Sequence, residues 1–109
     1  MKSAIIFWTP FALKSLDEIK NYIERETLSK TIAIRYINKL IERVEQLPNF
    51  PDSGPEEELL KRLKQNSRYL IEGNYKIIYQ FQNNKIIITD IFHVKQNPVK
   101  IIKRNKNKI

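Results

Sequence analysis

The sequence predicts an α+β fold in the order β-α-α-β-β-β: a small, mostly antiparallel sheet with an N-terminal helical hairpin packed on one face. Three observations carry this. Apolar residues recur at spacings of three and four between Pro10 and Leu47, the period of a helix with one buried stripe. From Arg68 to Val94 the pattern changes to the two-residue alternation of strands. Within that half, Gly73-Asn74 and Asn83-Asn84 are turn signals that fold consecutive strands into hairpins.

Ala4 to Trp8 is an apolar run of strand length, and its near-continuous character predicts coverage on both faces. Thr9-Pro10 ends it and opens a helix. The threonine hydroxyl can accept from an orphan amide, and proline at the first helical position gives up an N–H that has no partner there. The helix should run to about Arg25 with Ala12, Leu16, Ile19 and Ile23 on one stripe. Ser29 caps a second helix to about Leu47, whose apolar face includes Ala33, Ile37, Leu40 and Val44. The short connection makes an antiparallel hairpin.

Pro48 to Pro55 is a structured loop between the helical and sheet halves. Leu59, Leu60 and Leu63 fit either a helical turn or an irregular strand. Tyr75, Ile77, Tyr79 and Phe81 alternate with Lys76, Gln80 and Gln82, as in a half-buried antiparallel strand. In the final strand Ile86, Ile88, Phe92 and Val94 should share one face, and Ile87, Thr89, Ile91 and His93 the other. Apolar residues on both faces suit a central position, with the first strand beside the last. The expected core contains Trp8, Leu16, Ile19, Ile37, Leu40, Ile77, Tyr79 and Ile88.

A length of 109 residues fits one domain, here 1–98, followed by a basic tail at 99–109. No apolar run is long enough to span a bilayer, so no membrane partner is expected, and the absence of cysteine fits the cytoplasm. The formal net charge is +8. Residues 1–94 carry 14 Lys/Arg against 12 Asp/Glu, a net of +2, whereas 95–109 carry six Lys/Arg and no acid. Such an end attracts polyanions, nucleic acid and acidic protein segments alike, or simply solubilises the chain. There is no glycine-rich phosphate loop. One histidine and no cysteine argue against a zinc site, and no cofactor is implied.

The stretch R68-Y-L-I-E-G-N-Y75-K-I-I-Y79, followed by I-T-D-I-F-H93-V-K-Q-N-P98, resembles the RelE/ParE toxin superfamily. W8-T-P-F-A12 with Leu16, Ile19, Tyr22 and Ile23, then L47-P48 and Gly54, fit the same resemblance, which covers roughly 4–98. The first helix and the H93-V-K-Q-N-P98 ending are closer to the ParE-like and plasmid-stabilisation branch. The resemblance implies a toxin of a bacterial type II toxin–antitoxin module, neutralised by direct binding of a cognate antitoxin. ParE-like members inhibit DNA gyrase. RelE-like members cleave messenger RNA on the ribosome, and an inactive toxin fold kept as an interaction module is a third reading.

Arg68 matches the family arginine before the G-N-Y turn, which contacts the scissile phosphate region in ribonuclease members. Its planar fork suits phosphate or carboxylate. Lys61, Arg62 and Lys64 fall where those members carry basic residues, and with Arg68 and Lys95 they form the expected phosphate- or target-binding set. His93 can serve as a general acid or base if the activity is ribonucleolytic. Ribonuclease members commonly add a late tyrosine or an acid/histidine pair, and no tyrosine follows His93.

Overall fold

The computed structural model describes residues 4–57 and 67–95. Its elements are β1 (Ile5–Trp8), α1 (Pro10–Thr27), α2 (Lys30–Glu45), β2 (Ser67–Glu72), β3 (Tyr75–Gln82) and β4 (Lys85–His93). The ambiguous leucine segment around 59–63 and the basic tail lie outside the described residues.

Both helices begin as their sequences dictate. The Ala12 amide donates to Thr9 Oγ1 at 3.1 Å, and Pro10 occupies the first turn. The same hydroxyl donates to the Ile88 carbonyl at 2.9 Å, tying the start of α1 to the sheet. The Ile32 amide donates to Ser29 Oγ at 3.1 Å. Only Leu28 and Ser29 separate the helices, with Leu28 in the left-handed region that ends α1.

The sheet order is β1-β4-β3-β2. β2, β3 and β4 are antiparallel neighbours, and β1 lies parallel to β4, so the sheet is mixed. The first strand does sit beside the last, and β4 is internal. The apolar stripes of α1 and α2 cover one face. Ile19, Leu40, Ile77, Tyr79 and Ile88 are buried there, with Trp8, Leu16 and Ile37 packed against them.

Two expectations need correction. β1 is not covered on both faces: Ile6 and Trp8 pack on the core while Ile5 and Phe7 are 65% and 53% exposed. The strand is at the sheet edge, and its outward parity gains no cover from the helices. The faces of β4 also differ from simple alternation. Ile78 pairs with Asp90 and Tyr79 with Ile88, leaving Thr89 as an extra residue opposite β3. This bulge shifts the parity of everything after it. Ile86, Ile88 and Ile91 therefore join the helix-side core, not Ile86, Ile88 and Phe92. His93, opposite Tyr75, is brought to the helix side as well.

Tyr79 joins the core to the 51–55 loop. Its hydroxyl donates to the Pro51 carbonyl at 2.9 Å and accepts from the Gly54 amide at 3.0 Å. Burial holds the Tyr79 phenol above its usual value of 10.0, against the opposing pull of the Gly54 hydrogen bond and the Arg68 charge. Burial also raises Tyr75, with Tyr22 and Tyr36 adding to the shift. The folded chain thus keeps these protons at alkaline pH where the unfolded chain releases them. Their contribution is complete below pH 10.0 and is lost as pH rises through the raised folded values. Tyr79→Phe should lower stability near neutral pH by about 1–3 kcal/mol, because the Gly54 amide and Pro51 carbonyl lose a buried partner. It should also lessen the alkaline loss. Urea melts across this range check both points, and parallel pH profiles for the two proteins would exclude Tyr79 as a titrating group.

Candidate functional site

Arg68 enters the structure through β2, opposite Tyr79 of β3. Its Nη1 donates to the Gly54 carbonyl at 2.8 Å and the Asp52 carbonyl at 3.4 Å. Its Nε lies 3.8 Å from Asp52 Oδ1, and the side chain is about one-third exposed. The guanidinium is therefore a clamp on the 52–54 loop. Tyr79 grips the same loop from beneath.

His93 stands at the other end of the sheet. Its ring meets Tyr75 edge-on, with centroids 5.4 Å apart and an interplanar angle of 81°. Its Nδ1 accepts from the Lys95 amide at 3.1 Å, so the neutral ring carries its proton on Nε2. Between these residues and α1 is an open cleft of about 370 Å³. α1 contributes Glu18, Ile19 and Tyr22 to its lining, while β4 and the turn after it contribute Ile91, His93 and Lys95.

Arg68 and His93 are not brought together. Their partners Tyr79 and Tyr75 are four residues apart on β3, and β2 and β4 flank β3 on opposite sides. At about 3.3 Å per residue and about 4.8 Å between strands, the two backbone positions are about 16 Å apart. The Arg68 fork is held toward Gly54, not along the sheet. Lys95 lies beside His93, while Lys61, Arg62 and Lys64 lie outside the described residues. Among the described residues no group of three His, Cys, Asp or Glu side chains could hold a metal. No described helix is long and apolar enough to cross a membrane.

Sequence reasoning missed the cleft. Counting back from the Asn83-Asn84 turn places Phe92 opposite Tyr75, and only the bulge at Thr89 substitutes His93. It also missed the joint grip of Tyr79 and Arg68 on Gly54. The loop's Pro-Gly-Pro composition marks a turn without indicating which strand residues will hold it.

The chain, a helical hairpin across a four-stranded mixed sheet, is a domain of the RelE/ParE toxin superfamily by its match to a family model. The family model described as "ParE toxin of type II toxin-antitoxin system, parDE" matches residues 6–98, and the chain belongs to that family. A solved structure titled "Chromosomal ParDE TA system from P. aeruginosa" shares the fold, with a TM-score of 0.67 at 17% identity. The match covers 84% of this chain and 96% of that one. No curated protein is a significant match to the chain.

Proposed function

We propose that this chain is the growth-inhibiting toxin of a ParDE-type module, acting by binding a cellular target such as DNA gyrase and neutralised by a cognate antitoxin. Beyond family membership, one observation supports binding over RNA cleavage: the separation of Arg68 from His93. Cleavage through a 2′-hydroxyl needs a proton-transfer group and a cation converging on one phosphate. Here the two candidates occupy opposite ends of the sheet, and most of the arginine fork is engaged by the loop. Binding needs no such convergence. The exposed part of the Arg68 side chain can dock an anionic group of a protein target while its bonds to Asp52 and Gly54 keep the loop in place.

Purified chain is expected to inhibit gyrase supercoiling and to leave messenger RNA intact in a translation extract. Codon-positioned cuts without gyrase inhibition would replace this reading with the RelE-like one. Co-expression with the neighbouring small gene product should give a stable complex by pull-down and restore growth. On induction, Arg68→Ala should reduce killing more than His93→Ala, since loss of its charge-assisted bonds costs about 1.5–3 kcal/mol at the loop and target contacts. Thermal melts must accompany the colony counts. Arg68→Lys, which keeps the charge, separates loss of the fork from loss of the fold. A harmless His93→Ala beside a fully toxic Arg68→Ala would reverse the assignment.

A further inference from the structure

We infer that this chain pairs with a second copy of itself through the open edge of β1, joining the two four-stranded sheets edge to edge about a twofold axis. The inference goes beyond the toxin reading and does not rest on it. It begins with the main chain. The Ile5 amide donates to the Asn84 carbonyl and the Thr9 amide to the Ile88 carbonyl, both at 3.1 Å. Strand backbone alternates in direction, so Ile5, Phe7 and Thr9 turn their amides and carbonyls toward β4, and those of Ala4, Ile6 and Trp8 point the other way. Among the described residues β1 ends the sheet, and no strand meets these groups. The edge also lacks the devices that keep strands from pairing. Ala4 to Trp8 holds no proline and no charge, and β1 runs along β4 without a bulge. The opposite edge is treated differently: residues 55–57 cover β2. With one edge open and the other covered, the assembly closes at two copies and does not grow into a fibre.

The side chains show why a second copy fits. Antiparallel pairing about a dyad at Ile6 sets Ile5 of each copy opposite Phe7 of the other, and Ala4 opposite Trp8. Ile5 and Phe7 are the exposed apolar residues of β1, on the face away from the helices. Opposite each other they form a pair without hydrogen bonds between them, in which Cα atoms are about 4.5 Å apart and side chains are closest. An aromatic against a β-branched residue is a favourable cross-strand pair, and the dyad makes two of them. On the helix face the bulky Trp8 meets the small Ala4. The segment is uncharged, so no like charges are brought together. The helical layer leaves room, because α1 packs on β4 and α2 reaches β2, inward of this edge. An axis perpendicular to the sheet keeps both helical hairpins on one face. The edge from Ala4 to Trp8 is short, and its contact falls below the roughly 1,200 Å² of stable complexes, so the dimer is reversible and concentration-dependent.

The test uses the full chain, which has no cysteine of its own. Sedimentation velocity from about 10 μM to about 1 mM should show monomer giving way to dimer, and Phe7→Lys should stay monomeric over the same range. Cysteine linking then reads the register. Copies carrying Ile5→Cys and copies carrying Phe7→Cys, distinguished by mass, are mixed in a glutathione redox buffer. Directly opposite residues meet the roughly 4.4–6.8 Å Cα separation of a disulfide, whereas the diagonal 5–5 and 7–7 pairs are about 7–8 Å apart. The mixed product should therefore form at least about tenfold faster than either self-linked product. All these substitutions replace exposed side chains, and melting curves verify that the variants fold. A parent chain that is monomeric throughout, or a Phe7→Lys variant that dimerises like the parent, would overturn the β1 interface. Self-linking as fast as mixed linking would overturn the register and leave only random collision. A chain that inhibits gyrase yet fails this test loses the dimer and keeps its proposed function.

Discussion

Adding one methyl group at Gly54 is expected to lower the stability of the fold by about 3 kcal/mol, the upper end for overpacking. The Cβ of an alanine there would lie 2.4 Å from the Tyr69 carbonyl oxygen and 2.8 Å from the Tyr79 hydroxyl. The first neighbour is strand backbone. The second is held by its bond to Pro51. Neither can yield cheaply, so the loop must move instead. Moving it breaks the Gly54 amide bond to Tyr79 and the Arg68 bond to the Gly54 carbonyl. At this chain length the melting temperature should fall by at least about 10 °C. Gly73→Ala is the informative control. A Cβ at Gly73 meets nothing within 4 Å, but its φ of +59° disfavours any side chain. That penalty is about 1 kcal/mol, so Gly73→Ala should cost much less. Equal losses by circular dichroism would show that space at Gly54 is not the constraint.

The local parts of this fold were legible because local chemistry determines them. Thr9, Pro10 and Ser29 announce helix starts through backbone groups within three residues, and those caps form. The stripes of α1 and α2 follow from a period that needs no tertiary information. Placing β1 beside β4 was also within reach, because an internal strand needs a second neighbour. The β4 parity was not legible. Ile86, Ile87 and Ile88 before Thr89, and Ile91 and Phe92 after it, are apolar at both parities, so nothing in the alternation marks the bulge. Since His93 owes its place to that bulge, the cleft was hidden with it. The partners of Arg68 were not legible: Asp52 and Gly54 meet it only once the loop has folded back on β2.

Lys76→Ala should destabilise the chain by about 1.5–3 kcal/mol, the range for a hydrogen bond to a charged group. The Lys76 ammonium lies 2.6 Å from Glu57 Oε2, in a pair whose carboxylate side chain is only 4% exposed. It also sits 4.1 Å from the centroid of the Tyr69 ring, which favours the cation further. This pair fastens a segment that closes one sheet edge. The Glu57 amide donates to the Ser67 carbonyl at 2.7 Å, the Tyr69 amide donates to the Pro55 carbonyl at 3.0 Å, and Glu56 bridges Arg68. Residues 55–57 thereby cover the edge of β2, which would otherwise be open to pairing with other chains. Removing the lysine leaves the carboxylate in a dry site without the Lys76 ammonium. Removing the carboxylate charge by Glu57→Gln is less harmful, because the Lys76 side chain is 21% exposed and its ammonium can turn to water. The expected order is therefore a large loss for Lys76→Ala, a smaller one for Glu57→Gln, and a double variant better than the sum of the two. Denaturant melts of the three proteins measure that coupling, and strictly additive losses would mean that the pair contributes nothing to holding 55–57 on β2.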